Sequence, residues 1–160
     1  MDHLILKLLT LRPYHATDDE AFIHSSWLRS FRASFGMRAT PSKLYYSHQK
    51  QMIGYILSRP TTSVVIACNA EDHTQIFGWV CYETAPTHTI HYVYTKHPYR
   101  EMGVANSLLI NAYDAKLSQF GVTQATHETK MLKFLQTNFE MLYNPFFLWE
   151  IYANVKAREN

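Results

Sequence analysis

Between Thr89 and Ala115 the apolar pattern changes period, and that change constrains the fold more than any other feature of the chain. Thr89 to Thr95 alternates as a strand does, whereas after Pro98 the residues Val104, Leu108, Ala112 and Ala115 recur at helical spacing. The junction reads Tyr92-Val93-Tyr94-Thr95-Lys96-His97-Pro98-Tyr99-Arg100-Glu101-Met102-Gly103-Val104-Ala105: a strand, a short turn holding Arg-x-x-Gly-x-Ala, and a helix immediately after. Such a turn suits an anion, the alternative being a strand-to-helix turn that needs its glycine for geometry alone. The first amides of a helix lack internal acceptors and carry the positive end of its dipole. Gly103 permits close approach to the backbone, Ala105 is nearly as small, and Arg100 adds charge.

The remaining elements follow from pattern and punctuation. Leu4, Leu6, Leu8 and the residues to about Arg12 read as a first strand ended by Pro13. Thr17-Asp18-Asp19-Glu20 reads as a capping box opening a helix to about Ser34, with Ile23, Trp27 and Phe31 as its buried stripe and Gly36 as its break. A second helix is expected from Thr40-Pro41 to the residue before Pro60, with Leu44, His48 and Met52 on one face. Thr62 to Asn69 and Ile76 to Glu83 are expected as the arms of a hairpin, followed by a strand over Thr89 to Thr95. The helix after Pro98 should stop at Gly121. Val122 to Thr126 then reads as a strand, Lys130 to Leu142 as a helix and Phe146 to Val155 as a final strand, in the core or facing a second copy in a homodimer, with an exposed partner patch at Phe146-Phe147-Leu148-Trp149 as the alternative. The expectation is one α/β (α+β) domain over residues 1–160, a mixed central sheet of about six to seven strands flanked by about four helices.

Composition adds limits. Its 160 residues, 47% hydrophobic and 18% charged, suffice for one sizeable core. No apolar run approaches the ~20 residues that cross a bilayer, and Met1-Asp2-His3 lacks a signal peptide's basic start, so a cytoplasmic protein with no membrane partner is expected. A turn near Asp72 would put Cys68 opposite Ile76 or Phe77, roughly 13 Å from Cys81, too far for a disulfide. The net charge of +2 is a cancellation. Ala21 to Ala70 contains no Asp or Glu but holds Arg29, Arg32, Arg38, Lys43, Lys50 and Arg59, interleaved with Trp27, Phe31, Phe35, Tyr45, Tyr46 and Tyr55. That composition suits an anionic or nucleic-acid partner, with Trp27, Arg29 and Arg32 as candidate substrate contacts. A solvated basic face over inward-packed aromatics is the alternative.

The element order, together with Arg100-x-x-Gly103-x-Ala105, resembles the GNAT superfamily of acyl-CoA-dependent N-acetyltransferases, whose hallmark is Gln/Arg-x-x-Gly-x-Gly/Ala at the start of the helix after the fourth strand. Ser26-Trp27-Leu28-Arg29-Ser30-Phe31-Arg32, Thr126-His127 and Tyr143-Asn144-Pro145 further resemble segments of small GNAT-like proteins of tailed bacteriophages, for which the compartment would be the host cytoplasm. The resemblance implies acetyl-CoA in a cleft where the strands at Thr89 to Thr95 and Val122 to Thr126 splay apart. It implies the pyrophosphate on the amides of Arg100, Glu101, Met102, Gly103, Val104 and Ala105, and the pantetheine arm along Tyr94, Thr95 and Lys96. A free amide in a bulge of that strand would polarise the thioester, and an amine acceptor would attack without an acyl-enzyme.

Two side-chain roles stay open. For the general base, His91 stands about where the family often has Glu, its reference pKa near 6.5 suits the task, and Glu83 competes. For the general acid, the family's Asn-x-x-x-Ala-x-x-x-Tyr pattern is absent: Phe139 stands near the Tyr position and Tyr143 is the nearest phenol. A chain without either role would be a GNAT-shaped structural or interaction protein, and a nucleic-acid base acyltransferase is a further alternative. His88 and His91 point to opposite faces of a strand and no Cys-x-x-Cys or His-Glu-x-x-His accompanies them, so no metal is expected. Neither a P-loop nor a Gly-x-Ser-x-Gly elbow is present.

Overall fold

β3 (Ile76–Glu83) is buried at every residue, and the rest of the fold is arranged around that fact. In the computed structural model, which describes residues 2–34, 37–115 and 123–159, six strands form one sheet in chain order. β1 (Leu9–Pro13), β2 (Thr62–Asn69), β3 and β4 (Thr89–Thr95) are antiparallel. β5 (Gln124–Ala125) and β6 (Leu142–Tyr143) then add in parallel. The strands at 62–69, 76–83 and 89–95 have the bounds expected from their alternation. Cys68 stands across from Ile76 as expected, and both thiols are free and buried.

Each face of β3 needs its own cover. On one side α2 (Ala16–Arg32) and α3 (Ser42–Ser58) lay Ile23, Trp27, Phe31, Ile53 and Ile56 on Ile66, Trp79, Cys81 and Tyr92. On the other, α4 (Val104–Asp114) packs Val104, Leu108, Leu109 and Ala112 against Phe77, Val80, Tyr82 and Ile90. Gly78 makes the closest strand approach possible: a Cβ there would stand 2.3 Å from the Tyr94 carbonyl oxygen.

Several local expectations are corrected. Residues 2–8 are a helix, α1 (Asp2–Leu8), and the strand begins only at Leu9. The cause is the partner: β2 ends at Asn69, opposite Leu9, so the residues before Leu9 find no ladder and the Leu- and Lys-rich segment takes its helical preference. The capping box at Thr17 does not form, because the chain enters α2 earlier. His15 is the N-cap, its amide donates to Asp19 Oδ2 at 2.8 Å, and Arg12 holds the same carboxylate at 2.7 and 2.9 Å. The Arg12 hydrogen bonds hold the buried Asp19 carboxyl below its usual range despite desolvation.

α3 buries Tyr45, Gln49, Met52, Ile53 and Ile56, so Leu44 and His48 are exposed and only Met52 of the expected face is in the core. The helix expected to reach Leu142 ends early, as α5 (Leu132–Phe139), and Leu142 joins β6. Phe146 to Val155 is helical, within α6 (Phe146–Glu159), with Phe146 and Trp149 each 71% exposed. Asn144 Oδ1 accepts the Phe146 amide at 3.1 Å just beyond Pro145, an N-cap followed by Pro at the first helical position. The helix expected to stop at Gly121 ends at Asp114, with Ala115 as its C-cap, while the expected break at Gly36, the aromatic Phe35, Gly121 itself and the strand start at Val122 lie outside the described residues. Among the described residues no helix is long and apolar enough to cross a membrane.

Candidate functional site

The parallel register of β4 with β5 covers only Thr89 with Gln124 and Ile90 with Ala125, closed by Thr126 N–H to the Ile90 carbonyl at 3.3 Å. Among the described residues no strand then pairs with that edge of β4 from His91 to Thr95. The strand also bulges there: Tyr82 pairs with Ile90 and Cys81 with Tyr92, which leaves His91 as the extra residue. A bulge re-aims the side chain it carries, here onto the α2–α3 side of the sheet.

His91 is fully buried and bonded through both ring nitrogens. Nε2 lies 2.6 Å from Glu83 Oε2, and Nδ1 lies 3.0 Å from the Thr126 hydroxyl. Glu83, also fully buried, is held in addition by Arg59 Nε at 2.8 Å and by the Thr61 hydroxyl. Burial alone would raise this carboxyl, but the hydrogen bonds from His91, Thr61 and Arg59 outweigh it and hold the group ionised. Burial lowers the His91 pKa, against the pull of Glu83. Thr126 Oγ1 lies 2.9 Å from His127 Nδ1, and His127 Nε2 lies 3.4 Å from Gln49 Nε2. Burial first, and then His91, push His127 down to about 3, so its ring is neutral at pH 7.

One assignment of protons satisfies every link. Glu83 is acceptor only, so His91 donates from Nε2 and its Nδ1 is a lone pair. The Thr126 hydroxyl donates to that lone pair and accepts from His127 Nδ1–H, which leaves His127 Nε2 to accept from the Gln49 amide. The result is a directed chain from Gln49 through His127, Thr126 and His91 to Glu83.

The pocket end of this chain opens into a cavity of about 540 Å³ between α3 and the start of α6. Thr126, His127, Gln49, Phe31, Tyr45 and Met52 are its buried inner residues, and Leu44, His48, Glu128 and Trp149 are exposed at its rim. Tyr143, brought there by the pairing of Ala125 with Tyr143 in β6, is half-buried in the wall, with its phenol pKa raised by burial and by Glu128. His91 does not border the cavity. The position expected for direct base contact is reached only through Thr126. Phe139 lies on the other side of the sheet, against Tyr113.

The turn before α4 has the backbone for an anion cradle. Glu101 and Gly103 both have positive φ, 63° and 82°, and Gly103 is the N-cap of α4. Helix geometry leaves the amides of Val104 and Ala105 without internal acceptors, while the Val104 side chain is buried in the core. Arg100 is exposed and donates to the Thr95 carbonyl at 3.2 Å, and Met102 is half-buried. Thr95 Oγ1 is buried with no hydrogen-bond partner beside the open edge of β4, a polar atom suited to a bound group with amide character. Tyr94 packs against Trp79, with ring centroids 6.0 Å apart, and Lys96 Nζ sits 5.0 Å over the Phe22 ring. These residues fit a coenzyme A chain. One feature stands against entry: Leu6 of α1 lies over the turn, its Cδ2 3.2 Å from the place of a Gly103 Cβ.

The basic residues of the acid-free stretch divide: Arg29, Arg38, Lys43 and Lys50 are exposed, whereas Arg32 and Arg59 are engaged internally. Trp27 is fully buried and stacked on Tyr92 at 5.1 Å, so it is a core residue and not a substrate contact. Arg29 is exposed but donates to Ser25 of its own helix. Arg32 bonds the Met37 carbonyl, reaches Ser42 at 3.4 Å and stacks over Tyr45 at 4.9 Å, fastening the α2–α3 connection at the cavity's edge. Thr126 and Gln49 are the chain members that spacing did not single out. They lie 35 residues from His91 and 78 from His127, respectively, and no local pattern marks such contacts.

No protein-family model matches the sequence, and no curated protein matches it significantly. Solved structures do. A proposed acetyl transferase from Pyrococcus furiosus superposes with TM-score 0.56 over 81% of this chain and 90% of that chain, at 14% identity. An aminoglycoside acetyltransferase from an uncultured soil metagenomic sample, in complex with sisomicin, gives TM-score 0.52 over 85% and 88%, at 16% identity. A GCN5-related glucosamine N-acetyltransferase region of a fungal multi-domain β-N-acetylglucosaminidase gives TM-score 0.48 at 17% identity, and the chain spans 12% of that protein. At these identities the likeness is one of fold: the chain shares the mixed α/β architecture of these solved structures.

Proposed function

We propose that this protein is an acetyl-CoA-dependent N-acetyltransferase that takes its amine acceptor into the cavity between α3 and α6. The carrying observation is the directed hydrogen-bond chain from that cavity to the buried Glu83, at the strand gap beside the Arg100–Ala105 turn. The amides of Arg100 to Ala105 would hold the pyrophosphate and the free edge of Tyr94 to Lys96 the pantetheine arm. Acetyl-CoA would supply the activated acetyl group, attacked directly by the amine.

Deprotonating the amine is the task of the chain. Once the amine has displaced the Gln49 amide from Nε2, His127 takes the proton there and passes its Nδ1 proton to Thr126, whose hydroxyl proton moves to His91 Nδ1. His91 ends as an imidazolium against the Glu83 carboxylate at 2.6 Å, an ion pair that offsets the cost of a buried charge. Tyr143, in the cavity wall, is the phenol available to reprotonate the departing thiolate. Calorimetric titration of the folded protein with acetyl-CoA tests the reading directly. Absence of binding at millimolar coenzyme would sink it.

Leu6 over Gly103 and the phenylalanine at position 139 favour a second reading, a GNAT-shaped binding protein without turnover. Coenzyme-dependent acetyl transfer to any amine rules against it. A nucleic-acid acceptor would have to be met by Arg29, Arg38, Lys43 and Lys50, which are exposed, since Arg32 and Arg59 of the acid-free stretch are engaged internally.

A further inference from the structure

The lining of the α3–α6 cavity differs in chemistry from the basic surface that the sequence led us to expect. Phe31, Met37, Leu44, Met52, Leu148 and Trp149 supply its walls. Among the described residues that line it there is no lysine or arginine, and Glu128 at the rim is the one carboxylate. Buried polar groups converge at Thr126, His127 and Gln49, while Thr40, His48, Tyr143 and Glu128 lie elsewhere in the lining, and the neutral His127 offers no charge to an anion. An apolar chamber of this size with a few convergent polar groups is a small-molecule site.

We infer that the acceptor is a small primary amine with an apolar alkyl or aryl body, and that polyamines, aminoglycosides and phosphate-bearing amines are excluded. The apolar body fills the Met and aromatic walls, the nitrogen turns to His127 and Thr126, and Glu128 attracts the incoming ammonium. A polycation would bury several charges against one carboxylate, and an anion would meet only Arg32, at the edge and already bonded to the Met37 carbonyl. The word acceptor rests on the transferase reading above, whereas the ligand class rests on the lining alone.

The test therefore begins without coenzyme. Trp27 and Trp79 are fully buried and Trp149 is 71% exposed at the rim, so quenching of Trp149 fluorescence reports an occupied cavity. The probes are a straight series from propylamine to heptylamine, 2-phenylethylamine, spermidine, kanamycin and glucosamine 6-phosphate. Affinity should rise roughly fourfold for each added methylene until the chamber is filled, as the burial of a CH₂ group requires. Leu44→Lys, at an exposed rim position, should weaken phenylethylamine about tenfold or more while the protein remains folded by circular dichroism. A flat series, or tighter binding of spermidine, kanamycin or the sugar phosphate, overturns the inference.

Acetyl-CoA calorimetry is read separately. Alkylamine binding with no coenzyme binding would retire the transferase reading and keep the ligand class. Coenzyme-dependent transfer confined to polyamines or aminoglycosides would do the reverse.

Discussion

His91 Nε2 and Glu83 Oε2 stand 2.6 Å apart with both side chains fully withdrawn from solvent, and this pair anchors the hydrogen-bond chain at the end remote from the cavity. Its partners decide its state. With Arg59, Thr61 and His91 all donating to it, Glu83 stays a carboxylate, and His91 keeps a lone pair for Thr126.

The link through Thr126 predicts a separation of kinetic effects. Thr126→Val removes the hydroxyl that joins His91 to His127 and should lower kcat by about 10² to 10³, the range of a lost acid–base path. Thr126→Ser restores the hydroxyl and should retain activity within a few-fold. Because two buried ring nitrogens lose a partner in the valine variant, a stability loss of about 1–3 kcal/mol should accompany it. Steady-state kinetics and urea denaturation of both variants check the pair of effects. Equal loss in both variants would deny Thr126 a place in the path.

Acid should unfold this protein early, and the sign follows from His127. Its folded pKa of about 3 lies below the value near 6.5 of the unfolded chain, so the unfolded state binds the proton first. Stability is therefore fully present above about pH 6.5 and is lost as pH falls toward 3, by at most about 1.4 kcal/mol per pH unit. His91 is shifted in the same direction and adds to the slope. Urea midpoints measured from pH 7 to pH 4 should fall steeply for the wild type and less steeply for His127→Phe.

Gly103 carries two constraints that a double mutant can separate. Gly103→Ala forces a Cβ into a backbone with φ of 82° and sets it 3.2 Å from Leu6 Cδ2. The backbone part costs about 1–2 kcal/mol whatever surrounds it. Leu6→Ala should recover the contact part only, so the double variant should be more stable than the sum of the single effects. Leu6→Ala alone should tighten acetyl-CoA binding, since it uncovers the turn. Thermal denaturation and calorimetry of the four proteins decide both points.

At Gly78 relief is not available. A Cβ would stand 2.3 Å from the Tyr94 carbonyl oxygen, and that oxygen belongs to a strand held by the full β3–β4 ladder. Gly78→Ala should destabilise by about 3 kcal/mol, at the upper end of overpacking costs, and should shift the edge of β4 that would face the coenzyme. Denaturation midpoint and coenzyme affinity should fall together.

Local pattern determined a definite part of this protein. Alternation set the bounds of β2, β3 and β4, the i+4 recurrence of Ile23, Trp27 and Phe31 set the buried face of α2, and the turn at Arg100 to Ala105 was placed before a helix by its glycine and the change of period. These features depend on residues within a turn or a strand of one another. Residues 2–8 and 146–155 did not yield to the same reading, because an apolar run is strand or helix according to whether a partner edge is free. The site itself depended on tertiary structure almost entirely. His91 was visible as an ionisable residue on the right strand, but its burial, the bulge that aims it and the Thr126 hydroxyl that connects it to the cavity arise from contacts across 8 and 35 residues. The six positive charges between Ala21 and Ala70 show the same division: sequence counted them, and folding spent Arg32 and Arg59 on internal partners. A charge acts through its neighbours in space, and those are assigned only when the sheet closes.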